Sequence, residues 1–372
     1  MAGYIMTLNS IESLERCIET GTYSTNLSEP NGKWQVHHEG TFADYLSMKE
    51  DDNIYFFIKR KIYGIGRIKK VKFDCKFLNY IGGDIPEKVS EKEYKKRTPL
   101  LSNGTPNNRC FCVFEPSPYF FKNGIDMDDA LNSNPAAFKM LRAMWKVSFM
   151  KIDDNENQAL LDIILKRNET NLLNGDNVFQ YDDSENNKIQ KNLTKAHRLT
   201  AYRILESCAD KFQIKHEMAI EAALCDLLIK DNDTPFGKWD YVSHQVVASP
   251  FKAVDYMDKM DIFGYRFISG YSTISRYLVI EIKKDDANAD VIEQIMKYVD
   301  WIQSEYAYGD YSMIEAYVIA ADFSANVVQR RDNECKRYFT KGYRPSTPCI
   351  WDAVKLVRYE FNDSKGMNFI EV

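Results

Sequence analysis

The 372-residue chain carries 49 Lys and Arg against 54 Asp and Glu, a formal net charge of -5, and is 44% hydrophobic with 23 Tyr and 21 Phe. That apolar content, with a charged fraction of 28%, suffices for packed cores and excludes whole-chain disorder. No window approaches the roughly 18 apolar residues that span a bilayer, and the start, MAGYIMTLNSIESLERC, has no basic segment followed by an apolar one, so the expectation is a soluble, cytoplasmic protein with no membrane contact.

Length predicts two domains, because single cores seldom extend beyond about 200 residues. Residues 34–72 read as strands, KWQVHH, NIYFFIKR and IYGIGRIKKVKF, rich in aromatic and β-branched residues and punctuated by Gly64 and Gly66. RCFCVFEPSPYFF (109–121) predicts a further strand running into a turn broken by Pro116 and Pro118. Asn134-Pro135-Ala136 opens a predicted helix, AAFKMLRAMW, whose Phe138, Leu141 and Trp145 recur at spacings of three and four. The strand KVSFMKI and a helix over 156–167 close a β-rich α+β domain spanning 1–167. Residues 168–195, dominated by Asn, Asp, Glu, Lys and Ser, predict a polar linker.

The second domain, 196–372, begins with the predicted helices HRLTAYRILESCADKF and IKHEMAIEAALCDLLIK, the latter with Ile220, Leu224, Leu227 and Leu228 on one stripe. DYMDKMDIFGYRF and RYLVIEIKK, separated by the turn-rich ISGYSTIS, predict a hairpin. The helix ADVIEQIMKYVDWIQSEY and the buried strand AYVIAADF follow, which describes an α/β domain with a mixed sheet covered by helices.

Charge is unevenly spread. Residues 59–97 hold thirteen Lys/Arg against five Asp/Glu, and QRRDNECKRYFTKGYR (329–344) holds six against two, so phosphate contact remains open despite the negative total. The eight cysteines are scattered and read as reduced, mostly buried thiols; Cys110-x-Cys112 lacks zinc-site spacing. Gly64-Ile65-Gly66 has no third glycine, no Walker-type or Gly-x-Ser-x-Gly motif occurs, and the five histidines lack zinc-protease spacing.

The chemistry-bearing pattern lies in RYLVIEIKKD. Strand alternation puts Glu281 and Lys283 on one face and Ile280 and Ile282 on the other. Asp261, 20 residues earlier on the predicted partner strand, can approach Glu281. Two carboxylates beside a lysine suit Mg²⁺, with Mn²⁺ as a substitute, and such a site polarises a phosphodiester and activates water. An E-x-K pair on a strand is often a plain surface salt bridge, but VIEI is apolar, and inward charges there are costly unless they serve a site. Glu217 and Glu221 share a face of HEMAIEAAL, and either could add a carboxylate, with Glu221 preferred; Gln294 and Tyr298 share a face of the helix that follows the hairpin.

The ordered series Glu221, Asp261, Glu281-Ile282-Lys283 and Gln294-x-x-x-Tyr298 resembles the PD-(D/E)xK nuclease superfamily, nearest its NucS/EndoMS-like and RecB-like branches. The resemblance covers roughly 196–360 and implies a restriction-endonuclease-like fold and Mg²⁺-dependent DNA cleavage in the service of restriction or antiviral defence. It makes Asp261 and Glu281 metal ligands, sets Lys283 at the attacking water and Glu221 as an auxiliary acid, and has Gln294 and Tyr298 shape the substrate groove. Lys259-Met260 departs from the residues that usually precede the aspartate, which keeps Asp255 and Asp258 open as alternatives to Asp261. The N-terminal half resembles EVE and other PUA-like domains through DNIYFFIKRKIYGIGRI, FEPSPYFF and WKVSFMKIDD. That implies an aromatic pocket for a nucleobase, often a modified one, with Trp34, Tyr55, Phe57 and Tyr63 as candidates. Cutting both strands of a duplex further suggests a homodimer.

Overall fold

The computed structural model describes residues 1–28, 31–101, 106, 108–143, 148–210, 213–230, 234–249, 257–362 and 366–372. The chain divides into two compact units, Met1–Thr200 and Ala201–Val372.

The first unit is built on strands β1 (Gly3–Thr7), β2 (Thr22–Asn26), β3 (Asn53–Ile58), β4 (Lys61–Ile68), β5 (Lys76–Leu78), β6 (Asn108–Pro116), β7 (Ile125–Asp126) and β8 (Phe149–Ile152). They pair in the order β2-β6-β4-β3-β1-β8, with β5 on β6 and β7 on β4; β1 and β3 run parallel and the other pairs antiparallel. Helices α1 (Ile11–Thr20), α2 (Val36–Leu46), α3 (Glu91–Lys96), α4 (Met127–Ser133), α5 (Asp154–Arg167), α6 (Glu169–Asn174) and α7 (Ser184–Asn192) intervene. One core joins Ile5, Tyr55, Ile62 and Ile65 of the sheet to Leu160 and Ile164 of α5.

Three expectations fail here. KWQVHH is not a strand: a reciprocal cap between Gln35 and His38 starts α2, and Phe42, Ala43 and Leu46 then bury a helical stripe. The predicted helix AAFKMLRAMW is absent over its described residues except for a short turn at Leu141–Ala143; Trp145 lies outside the described residues. Helix α4 forms earlier, capped by the Asp126 carboxylate, and stops before Pro135, whose ring disfavours helical backbone at Asn134. The buried Glu156 carboxylate then accepts the backbone N–H groups of Lys139 and Met140, satisfying them outside a helix.

Nor is the 168–195 segment a linker. It forms α6 and α7 within the first unit, and Ile189 and Leu193 are buried with Val71, Phe77 and Phe111. Phe179 N–H donates to Phe120 O at 2.8 Å and Lys122 N–H to Asn177 O at 2.8 Å. A few apolar side chains, well placed, outweigh a polar average, and the division between units falls at Thr200.

The second unit contains α8 (Ala201–Cys208), β9 (Ala209–Asp210), β10 (Gln213–Ile214), α9 (Glu217–Leu227), β11 (Tyr241–Val247), β12 (Lys259–Phe267), β13 (Ile274–Ile282), α10 (Asp290–Glu305), β14 (Ile314–Ala320), α11 (Ala325–Glu334), β15 (Arg337–Lys341), β16 (Thr347–Trp351), β17 (Val354–Asn362) and β18 (Gly366–Glu371). Its main sheet has the order β11-β12-β13-β14-β17-β18. The first three strands are antiparallel, β13, β14 and β17 are parallel, and β18 returns antiparallel. The predicted hairpin is β12–β13, the predicted helices are α8, α9 and α10, and AYVIAADF is the central β14. Among the described residues no helix is long and apolar enough to cross a membrane.

Candidate active site

The sheet register brings the acids together. Ile262 pairs with Ile280, so Asp261, the next residue outward on β12, lies beside Glu281 on β13. Asp261 Oδ2 accepts the Ile282 N–H at 2.8 Å, which ties its carboxylate to the end of β13. Glu281 and Lys283 share a face as alternation requires, and Lys283 Nζ donates to Glu281 Oε1 at 2.6 Å. Helix α9 packs on β11, β12 and β13 and delivers Glu221, which is buried. Glu217, one turn earlier, accepts the Lys284 N–H at 3.3 Å, so the two α9 acids flank the same strand end.

Two residues that the sequence reading passed over complete the cluster. Gln245 Nε2 donates to Glu221 Oε1 at 3.0 Å, to Glu221 Oε2 at 3.1 Å and to Asp261 Oδ1 at 3.3 Å. His244 Nδ1 lies 3.4 Å from Glu221 Oε2. Both stand on β11, where the run YVSHQVV carried a strand signal in its β-branched residues.

Burial sets the electrostatics. The Glu281 side chain is 1% exposed, and its Oε2 has no hydrogen-bond partner among the described residues. Its pKa is pushed up to about 7, first by burial and further by Glu217 and Glu221, while Lys283 pulls it back. Asp261 is held well above the usual carboxylate range by burial and by the charges of Glu281 and Glu221. For Lys283 burial acts downward, but Glu281 outweighs it and the net shift is upward, so the ammonium stays charged at neutral pH.

This donor set fits a hard divalent cation. Carboxylate oxygens are the ligands Mg²⁺ prefers, and a buried, unpartnered Glu281 Oε2 among like charges is an acceptor that the protein itself leaves unsatisfied. Asp258, the described alternative to Asp261, is engaged elsewhere: its N–H donates to Ser249 Oγ at 2.8 Å and its carboxylate meets Lys297 at 3.3 Å. Asp255 lies outside the described residues. On α10, Tyr298 OH donates to Lys259 O at 2.7 Å and accepts from Gln294 Nε2 at 3.3 Å. This pair therefore anchors the start of the strand that carries Asp261.

No family model matches this chain, and no curated protein does. Among solved structures, one described as the crystal structure of a repair endonuclease from Pyrococcus abyssi is 18% identical, over 31% of this chain and 43% of its own length, with a TM-score of 0.22. Another, described as the structure of an EndoMS-dsDNA2 complex, is 20% identical over 22% of this chain and 30% of its own, with a TM-score of 0.17. The chain thus spans less than half the length of either structure.

In the first unit the four candidate aromatics are not gathered into one pocket. Trp34 is buried against His38 and Phe42, with Nε1 donating to Asp84 O at 2.8 Å and Arg109 5.2 Å above its ring. Tyr55 is buried and donates to Asn157 Oδ1 at 2.8 Å, and Phe57 packs half-buried on the same core. Tyr63 lies edge-on to Phe179, and Phe179 with Tyr119, Phe120 and Tyr181 lines an open cavity of ≈ 420 Å³ beside Glu115 and Gln180. Phe179, Gln180 and Tyr181 belong to the segment that read as linker, so composition concealed them.

Part of each basic stretch is paired with acids of the same unit. Arg60, Arg67, Lys69 and Lys70 pair with Asp128, Asp51, Glu115 and Glu50, all outside the run. Arg337 grips Asp300 with two hydrogen bonds of 2.8 Å, while Arg344 lies over the exposed Tyr343 ring at 5.3 Å. None of the eight cysteines is in a disulfide, and six of them are buried.

Proposed function

We propose that this protein is a metal-dependent endonuclease that hydrolyses DNA phosphodiester bonds, with the catalytic site in its second unit and a DNA-selecting role in its first. The observation that carries the reading is the convergence of Glu221, Asp261 and Glu281 with Lys283, in which a buried carboxylate oxygen has no partner among the described residues. A structural salt bridge needs neither the extra acids nor the orphaned oxygen.

Asp261 and Glu281 would hold Mg²⁺, or Mn²⁺ in its place. When bound, the cation supplies charge stabilisation at the phosphodiester and acidifies a coordinated water. Lys283, 31% exposed and anchored on Glu281, offers an ammonium that can orient the attacking water or stabilise developing negative charge. Glu221 adds negative charge beside Asp261 through Gln245, and Gln294 with Tyr298 fixes the approach of β12. In the first unit, the aromatic cavity by Phe179 has the walls on which a nucleobase, including a modified one, would stack. Removal of foreign DNA is the role that this combination suits, and a homodimer would supply the two sites that double-strand cutting needs.

The test is cleavage of unmodified and base-modified duplexes in Mg²⁺, Mn²⁺ or EDTA, by wild type and by Lys283→Ala and Glu281→Ala. Cutting that requires metal and is lost in both variants is expected. Binding without cutting would replace the nuclease by a nucleic-acid-binding scaffold, and activity only on RNA would change the substrate.

A further inference from the structure

We propose that Gln245 is a positioning residue of this site, its amide nitrogen linking Glu221 to Asp261 and so holding two acids together in the metal-free protein. The register supports this first. His244 pairs with Ile262 and Val246 with Met260, which puts Gln245 across from Asp261, in a row that continues to Glu281.

The backbone supports it independently. Gln245 has φ 52°, in the left-handed region that costs a non-glycine residue about 1 kcal/mol or more, in the middle of a strand. Strand β11 is at the edge of the sheet, where a distorted residue disturbs a single ladder. Contacts of the side chain offset that cost. They are three contacts of 3.0, 3.1 and 3.3 Å to two carboxylates. The NH₂ end of the amide faces both carboxylates, whose oxygens accept from it.

Taking that role apart from the backbone calls for two substitutions. Gln245→Gly relaxes φ while deleting the amide, and Gln245→Glu keeps the length while replacing the link by a further carboxylate. Both are compared with wild type by calorimetric melting in EDTA and by Mn²⁺ titration. The expected result is that Gln245→Gly melts below wild type in EDTA despite its relaxed backbone, and that Mn²⁺ raises its melting temperature more than it raises wild type's. Gln245→Glu should melt lowest without metal and bind Mn²⁺ about tenfold tighter, as added ligand charge tightens carboxylate sites. Gln245→Gly as stable as wild type in EDTA, with unchanged Mn²⁺ affinity, would overturn the proposal.

The metal part of this inference rests on the proposed function, whereas the link between the acids does not. If wild type binds no Mn²⁺, the metal-site reading fails, and the EDTA melting of Gln245→Gly still decides whether the amide holds the acids.

Discussion

Glu281→Gln should make the metal-free protein more stable at neutral pH while removing its activity. The Glu281 carboxyl is raised from 4.5 to about 7 by burial and by Glu217 and Glu221, against the pull of Lys283. Because the folded pKa is the higher one, the folded state holds the proton between pH 4.5 and 7 after the unfolded chain has released it. The associated stability is therefore fully present below pH 4.5 and lost as pH rises through 7. At about 1.4 kcal/mol per pH unit, the difference is about 3–4 kcal/mol. Urea unfolding in EDTA at pH 4, 5, 6, 7 and 8 should show wild type losing ground to the glutamine variant as pH rises, by a total close to that size. A constant difference across the series would refute the reasoning, since it would mean that Glu281 titrates as a solvated acid and is not the desolvated group that the sheet encloses.

Other consequences follow from the same geometry. Tyr298→Phe strips Lys259 O of its 2.7 Å donor and should cost about 1–2 kcal/mol in urea unfolding, with a fall in cleavage rate of about tenfold as β12 loosens. Neutral His38, whose Nδ1 accepts the Gln35 N–H and whose Nε2 meets Ser28 Oγ at 2.7 Å, is lowered to about 4 by burial and by the charges of His37 and Arg109. The stability it contributes is present above pH 6.5 and lost as pH falls towards 4, so His38→Gln should flatten the acid limb of the first unit's melting curve; an unchanged limb would count against it. Tyr119→Ala combined with Phe179→Ala should weaken DNA binding about tenfold or more in fluorescence anisotropy, since each stacked base contributes about 1–3 kcal/mol. The rate at saturating DNA should be unchanged, and unaltered affinity would remove the cavity from the recognition surface.

Several parts of this protein were legible from its sequence for local reasons. Alternation in VIEIK dictates that Glu281 and Lys283 share a face, and the turn-rich ISGYSTIS between two β-rich runs dictates a hairpin that carries Asp261 towards them. The stripe of α9 likewise follows from its 3.6-residue period, which leaves Glu221 on a buried helix. Other features depend on partners far along the chain, and no local pattern encodes them. Gln245 acquires its place from an edge strand paired to β12, and its glutamine-specific role from the Glu221 carboxylate delivered by another element. The 168–195 segment looks like a linker because its average is polar, yet Phe179, Ile189 and Leu193 find apolar surfaces set up by residues before 121. Trp34 reads equally as core or as a stacking platform until Asp84 and Arg109 close around it. The spacing of residues on a strand or helix is a local property, and so the sequence alone determined which side chains share a face. Burial and the company that a polar group keeps are set by non-local packing, and only the tertiary structure decided those.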